Sequence, residues 1–552
     1  MIITTGTYHL NPLGYFFLGH TYEIMVPIFL LLVFMVLINL KTITNTFSKI
    51  SKRTWLILVL IILAGFWLRN SDYIYGVGMD GYLYQESAKS IYENNLFTKG
   101  CAIGNSENCR LYNQVLMPQG HPFLITLMFH LFGEQDLLAM YLSGVLGSLT
   151  IFLVFGMAYL IFSSEKTALV SSMIYAFIPL DIFLCSTAAV RPVSNFFIAL
   201  SIISFILGLR KNSTKIWSMF AVIFSYTIYV RQENIILFFP FLFLFLWEKR
   251  REINLSGIKK NLKILSLPMT IFLIALLPFF HWFIFSDINY GGGIPTFSLD
   301  YFGRNSSYMI DNFLFPSLLN ESYFFIPWIS VFFFISLPLV IFYFRKNKKI
   351  KNAFLWLVFL AFFSISALYF DPVFNSIRRM QPLFIPYSIL SSVSILFFVD
   401  KIKKIRRYST AILFLAIIIS AIMVGINLKP YIFKDNRMEE FYTKEIVTAV
   451  NSTPENSLLF ISQPSVPNFD FFEDGRRWID INLIFADNYT HVYEELEYST
   501  ERPVYFIEDT ACTRHYQENK KNCDFIYSNF ELVNHTEFNG IKVYNLKRTG
   551  RV

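Results

Sequence analysis

Apolar runs of membrane-spanning length recur along this chain, and they restrict its fold more than any other feature. A helix crosses the hydrocarbon core of a bilayer with about 20 apolar residues. Runs of that order occupy residues 23–40, 54–68, 136–162, 166–184, 193–209, 215–230, 234–247, 264–285, 322–344, 353–370, 382–399 and 409–427. In lipid, each backbone amide must find its partner within the protein, so such runs fold as helices. The sequence therefore predicts an α-helical polytopic membrane protein with about 12 transmembrane helices. Only 16% of residues are charged, against roughly 25% in soluble domains.

Short basic clusters separate the runs. They are Lys41/Lys49/Lys52/Arg53, Arg210/Lys211/Lys215, Lys249–Arg251 with Lys259/Lys260/Lys263, Arg345–Lys351 and Lys401–Arg407. Counted along the spans, all five fall on one side, which the positive-inside rule makes cytoplasmic. The net charge of +8 is thus an orientation signal, and no nucleic-acid partner is implied. The N-terminus, the segment 69–135, residues 286–321, residues 371–381 and the tail are then extracytoplasmic. Residues 1–21 lack the basic n-region and small-residue cleavage site of a cleavable signal.

The tail, residues 430–552, is rich in Asp, Glu, Asn and Tyr and has no spanning run. A helix is expected over 437–451, strands over 457–462 and 503–508, and a hairpin over 530–547 turning at Asn539-Gly540. This is a small exported C-terminal α/β domain. Four of the five cysteines lie outside in two close pairs, Cys101/Cys109 and Cys512/Cys523, which predicts two local disulfides. A metal site built from these thiols would lack CxxC spacing. Cys185 is left over, near a span end.

The first long polar segment holds Gly78-Met79-Asp80-Gly81-Tyr82-Leu83-Tyr84. Two amphipathic pieces follow it. Residues 82–95 place Tyr84, Ala88, Ile91 and Tyr92 on one helical face, and residues 121–132 are too short to span and read as an interfacial helix. Asp80 is either a solvated loop acid or a functional carboxylate held at the membrane surface. Other ionisable residues gather at the outer ends of spans, where charge marks a structural pair or a site. Asp181 after Pro179 caps a turn or serves a site. Arg191 snorkels or pairs with Asp181. Arg231 and Glu233 form a structural ion pair or bind substrate. Arg378-Arg379 before Gln381-Pro382 runs against the positive-inside bias, and a bound phosphate would compensate it. His121 bonds locally at a helix start or lies near the catalytic acid.

With these residues in place, the chain resembles the GT-C fold glycosyltransferases of the protein O-mannosyltransferase-like, family 39 group, which includes the aminoarabinose transferases. GMDGYLY stands where the family has its loop aspartate, and YLYQESAKSIYENNLF stands for the amphipathic helix after it. PQGHPFLITLMFHLFG resembles the second surface helix, VRQEN the Arg-x-Glu turn, and RRMQPLFIPYSIL the late basic motif. The resemblance covers about residues 54–430, giving an N-terminal extra helix and loop (1–53), a transferase core (54–429) and the tail domain (430–552).

The resemblance implies that a sugar moves, with inversion, from a polyprenyl-phosphate donor to a protein, glycan or lipid acceptor outside the cytoplasm. Asp80 would be the general base, Arg379 would hold the donor phosphate, and Arg378 and Arg231 would assist. Glu233, Asp181, Arg191 and His121 are candidates for a second acid or for acceptor contacts. The setting would be the plasma membrane of a bacterium or archaeon. No resident cofactor is implied, and a divalent cation is left open. Two departures stand out: Gly81 replaces the family's frequent second acid, and Arg191-Pro192-Val193-Ser194 occupies a place where relatives often carry another. Two competing classes remain: a multi-pass lipid or glycan transporter or flippase, which would want inverted repeats and mid-bilayer charge, and a non-catalytic assembly or sensor protein using its exported tail.

Overall fold

The computed structural model describes residues 2–3, 16–17, 19–71, 79–97, 101–104, 109–112, 118–135, 137–250, 255–285, 298–314, 326–342, 350–368, 381–400, 411–420, 422, 446, 448–461, 475–481, 490–508, 517–538 and 541–548. Where their residues are described, the predicted apolar runs are helical. They comprise α1 (Thr21–Phe47), α2 (Lys52–Asn70), α5 (Leu137–Phe162), α6 (Glu165–Ala176), α7 (Pro179–Cys185), α8 (Val190–Lys211), α9 (Thr214–Val230), α10 (Phe238–Lys249), α11 (Leu255–Phe285), α13 (Pro327–Phe342), α14 (Ile350–Leu368), α15 (Phe384–Val399) and α16 (Ala411–Ser420). Two shorter helices, α3 (Met79–Asn94) and α4 (Gly120–Phe132), follow α2; α4, expected to lie on the membrane surface, is buried over most of its length, and α12 (Asp300–Leu314) precedes α13.

Among the described residues, six helices are long and apolar enough to cross a membrane. The bent pair of α6 and α7, which meet at 61°, passes the same test together and makes seven where it is counted as one broken span. The bend is encoded locally. Pro179 lacks an N–H and disfavours helical conformation in Ile178 before it, so the first helix stops and a second restarts with proline in its first turn. Starts and stops elsewhere follow local chemistry. The Ser51 and Ser164 hydroxyls accept from the amides of Thr54 and Thr167 to cap α2 and α6. Gly133, at φ +81°, closes α4 with its N–H on Phe129 O.

Helices α5, α8 and α9 form the buried centre of the bundle. Helix α1, the extra N-terminal one, lies against α9 and exposes Leu30, Phe34 and Leu37 as a lipid-facing stripe. Its N-terminal end also holds α3 and α4. The Tyr22 ring packs on Phe123 and His130, and Asn95 donates to the Glu23 carboxylate.

The expected strands and hairpin are present, but their sheet is larger than the tail alone supplies. Strands β4 (Leu458–Ile461), β5 (Arg477–Asp480), β6 (Val504–Glu508), β7 (Phe530–Phe538) and β8 (Ile541–Arg548) are joined by β2 (Cys101–Gly104) and β3 (Cys109–Tyr112) from the first outer segment. The N-terminal β1 (Ile2–Ile3) completes an eight-stranded sheet ordered β1-β3-β2-β5-β4-β6-β8-β7. Strand β2 runs antiparallel to β5, with Ile103 opposite Ile479. Ile103 is buried in the same cluster as Leu458, Phe460 and Phe506, so the outer segment contributes to the core of the tail. The N-terminus, the segment that follows α2 and the tail therefore sit on one side of the bundle. Helices α17 (Thr490–Tyr498) and α18 (Gln517–Asn529) cover one sheet face. Of the helix expected over 437–451, only residue 446 and residues from 448 on are described, and these are helical. The Asn539-Gly540 turn lies outside the described residues.

Cys523 is disulfide-bonded, and Cys185 is free and buried. Cys512 lies outside the described residues. The β2–β3 register sets Cys109 opposite Gly104 and Cys101 opposite Leu111, so these two cysteines are not direct cross-strand neighbours. Their side chains are outside the described set.

Candidate functional site at the outer rim of the bundle

The predicted motifs converge, though not all in the roles expected of them. Asp80 lies in the first turn of α3, where the positive end of the helix favours a carboxylate; its side chain is not among those described. The next residue, Gly81, rests against Ala188, whose Cβ is 3.4 Å from where a Gly81 Cβ would be. Tyr84, Ala88 and Ile91 are buried, as the amphipathic pattern requires. Thr126 on α4 donates to Ala88 O at 3.0 Å, and Lys89 pairs with Glu134 at 2.7 Å, so α3 and α4 are fastened along their length.

His121 is fully buried between these elements. Its ring meets the Tyr84 ring edge-on at 4.9 Å, and Nε2 is 3.4 Å from Ala188 O. A carbonyl only accepts, so Nε2 carries the proton and Nδ1 presents a lone pair, which has no hydrogen-bond partner among the described residues. Burial lowers the imidazole pKa from 6.5 to about 4, so His121 is neutral at physiological pH.

Gly120 brings the start of α4 against the end of α9. A Cβ there would stand 2.7 Å from the Tyr229 carbonyl carbon and from Val230 N. Tyr226 donates to Gly120 O at 3.0 Å. Beyond Val230, Arg231 grips Glu233 through two hydrogen bonds, Nη2 to Oε1 at 2.7 Å and Nε to Oε2 at 3.3 Å. The structural ion pair is thus formed, and both side chains keep partial exposure at the rim. Asn234 ties this turn to Ser194 on α8.

Asp181 is engaged differently from the expectation. Its partner is Arg69, at the end of α2, and not Arg191. Arg191 does not snorkel either: it is 4% exposed, inside the first turn of α8. The Arg69 guanidinium uses every donor it has. Nε and Nη2 reach Asp181 Oδ2 at 3.3 and 2.7 Å, Nη1 reaches Gly65 O and Ala176 O, and Nη2 also reaches Tyr175 O. Asp181 Oδ1 accepts from the Tyr175 hydroxyl at 3.2 Å and from Gln381 Nε2 at 2.7 Å. Asn195 donates to the Tyr175 hydroxyl and to Gln381 O, both at 3.2 Å. The bend at Pro179 makes this network: it turns the Tyr175 and Ala176 carbonyls toward Arg69 and sets Asp181 beneath them.

Arg69, Gln381, Tyr175 and Asn195 escaped the sequence reading. Arg69 did carry a signal, because an arginine closing a span on the side expected to face out breaks the same charge bias as Arg378-Arg379. Arg378 and Arg379 themselves lie outside the described residues, immediately before the turn Gln381–Leu383. Among the described residues no group of three or more His, Cys, Asp or Glu is placed to hold a metal ion.

Comparison with known proteins places this geometry. The family profile of dolichyl-phosphate-mannose-protein mannosyltransferases matches residues 117–282. Apo ArnT from Cupriavidus metallidurans superposes with a TM-score of 0.58 at 12% identity, covering 89% of this chain and 97% of ArnT. ArnT bound to undecaprenyl phosphate gives 0.53 at 12% identity over 90% and 98%. The Archaeoglobus fulgidus oligosaccharyltransferase, in complex with zinc and sulfate, gives 0.54 at 10% identity over 89% and 73%. Among curated proteins none matches significantly. At these identities the structural likeness is one of fold: the chain is a multi-pass membrane protein with the GT-C fold.

Proposed function

We propose that this chain, folded as a GT-C integral-membrane glycosyltransferase, transfers a sugar from a polyprenyl-phosphate donor to an acceptor hydroxyl on the extracytoplasmic face. The observation that carries this reading is the convergence at one rim. The first turn of α3 with Asp80, the buried His121, the Arg231–Glu233 turn and the Gln381 turn after Arg378-Arg379 come together there, held by contacts through Ala188, Tyr226, Asn195 and Asp181. These elements come from four separate stretches of sequence, and a solvated loop acid would need none of that support.

In this reading Asp80 takes the proton of the acceptor hydroxyl as the oxygen bonds to the anomeric carbon. The bond from that carbon to the phosphate oxygen breaks, and its electron pair leaves on the lipid phosphate. Attack opposite the leaving group inverts the anomeric centre. Arg379, with Arg378, neutralises the charge that accumulates on the departing phosphate. Arg231 contributes less than the sequence suggests, because Glu233 already occupies its fork. Asp181 is an architectural acid and not the second catalytic one, since both of its oxygens are engaged and it is fully buried. A phosphate leaving group needs little protonation, so one carboxylate suffices and Gly81 in place of a second acid is tolerated. ArnT has been crystallised with undecaprenyl phosphate, which supports a lipid of that class here. The donor, the acceptor and the membrane are the partners in this reading, with Asp80 facing out of the cell.

The test is reconstitution of the purified chain with polyprenyl-phosphate sugars and nuclear magnetic resonance of the glycosidic product. An inverted anomeric centre, with release of polyprenyl phosphate, is expected. Retention of configuration, or lipid translocation without bond cleavage, would refute it. The transporter class is disfavoured because the buried ion pair Arg69–Asp181 closes the outer ends of α2 and α6–α7 and does not line a mid-bilayer path.

A further inference from the structure

We infer that the buried Arg69–Asp181–Gln381 network is a positioning device that fixes the segment of the base relative to the segment of the phosphate arginines. The inference rests on the reading of Asp80 and Arg379 above and goes further, to residues outside that chemistry.

The path is continuous. Gln381 follows Arg379 by two residues, a stretch that spans at most roughly 7 Å. Its side-chain amide donates to Asp181 Oδ1 at 2.7 Å, and its carbonyl accepts from Asn195 at 3.2 Å. Asp181 lies on the short helix α7, which leads directly to Ala188. Ala188 seats both sides of the base: its Cβ backs Gly81, next to Asp80, and its carbonyl meets His121. At the other end of the same network Arg69 closes α2, immediately before the segment that leads to Asp80. A displacement of the Gln381 turn must therefore strain Asp181, and a displacement of α7 must shift the seat of α3.

The chemistry suits a rigid spacer. Every donor of Arg69 is spent on Asp181, on the Tyr175 and Ala176 carbonyls at the α6–α7 bend or on Gly65 O one turn back in α2, so the pair has no spare group for a substrate. It is fully buried, where swapping an ion pair for apolar groups is often nearly neutral for stability, whereas removing one partner costs several kcal/mol. A group kept there for geometry leaves a signature that a purely stabilising one does not: an apolar replacement folds but loses rate.

Two variants of the full-length protein test this, each beside wild type and Asp80→Asn. Gln381→Leu removes the side-chain link to Asp181 without stranding a charge, and leaves the Asn195 bond to the backbone carbonyl of that residue in place. Arg69→Met/Asp181→Leu replaces the whole pair by apolar side chains. The readouts are turnover, affinity for sugar-free undecaprenyl phosphate as a probe, and the distance distribution between spin labels at Glu93 and Ser376. Both variants are expected to fold and to bind the lipid as wild type does. Their kcat should fall roughly 10–100-fold, since a displacement of about 1 Å can cost that much, and the distance distribution should broaden.

Wild-type kcat in folded Gln381→Leu, or a fall in kcat with an unchanged distance distribution, would overturn the inference. If the double variant does not fold, Gln381→Leu alone decides. The underlying reading fails differently: wild type and Asp80→Asn would then turn over alike, while the spin-label distances would still report on the network.

Discussion

Gly120 is the point at which one added methyl group distinguishes a tightly built rim from a loose one. In Gly120→Ala the new Cβ would stand 2.7 Å from the Tyr229 carbonyl carbon and Val230 N, and 2.8 Å from Tyr229 O. Ordinary contact begins at 3.4 Å, so the two backbones must part by 3.4 − 2.7 = 0.7 Å. These are main-chain atoms, so no rotamer change can relieve the clash. Overpacking of this kind costs about 1–3 kcal/mol. The Tyr226 bond to Gly120 O, which spans the same gap, adds about 0.5–1.5 kcal/mol if it is lost. The expected destabilisation is thus about 1.5–4.5 kcal/mol. The shift also carries His121 away from the Arg231 turn, so kcat should fall by a factor of roughly ten or more, on the scale on which about 1 Å costs 10²-fold. The assay is heat treatment followed by size-exclusion chromatography, with turnover measured below the transition. Gly133→Ala is the control. That glycine has φ +81° and nothing near its missing Cβ, so alanine should cost about 1–3 kcal/mol of stability through backbone strain alone and leave kcat unchanged. Wild-type stability and rate in Gly120→Ala would refute the claim that α4 is wedged against α9. Equal loss of rate in both variants would refute the claim that the wedge sets the site.

Arg379→Ala should weaken donor binding more than Arg379→Lys, because an ammonium keeps the attraction but loses the two-pronged geometry; equal donor affinity in wild type and Arg379→Ala would remove it from the site. Non-reducing peptide mapping should recover Cys523 linked to Cys512 and Cys185 free, and a Cys523 peptide found as a thiol would contradict the structure. Acid should destabilise the protein partly through His121. Its pKa in the folded state is about 4, below the ordinary 6.5, so between those values the unfolded chain binds a proton that the folded one does not. Stability is then lost as pH falls from 6.5 toward 4, at up to about 1.4 kcal/mol per pH unit from this group. His121→Gln should flatten that part of the profile, and an unchanged pH dependence would show that the imidazole is not buried neutral.

What could be read in advance was local. The apolar runs became helices because hydrocarbon leaves the backbone no alternative, and Leu458–Ile461 and Val504–Glu508 became strands because short apolar runs in a polar tail must be buried. Arg231 and Glu233 were legible as a pair because they lie two residues apart. Arg69 and Asp181 were not, because 112 residues separate them and nothing local to either names the other. The sheet exceeded its prediction for the same reason. Ile103 pairs with Ile479 across most of the chain, and a two-residue strand such as Ile2–Ile3 has too little pattern to announce itself. Asp80 was legible as a candidate by its setting, between glycines and ahead of an amphipathic helix, whereas the contact of its neighbour Gly81 with Ala188, more than 100 residues away, was not.

The most direct test of the central claim follows the lipid itself. Wild type and Asp80→Asn are purified, loaded with the same polyprenyl-phosphate sugar, given acceptor, and examined by mass spectrometry of the bound lipid over time. The account predicts that wild type converts its lipid to polyprenyl phosphate. Asp80→Asn should hold the sugar-bearing form with its rate down at least about a hundredfold, within the range that general-base catalysis supplies. Conversion by Asp80→Asn within a few-fold of wild type, with donor binding confirmed in both, would show that the base lies elsewhere.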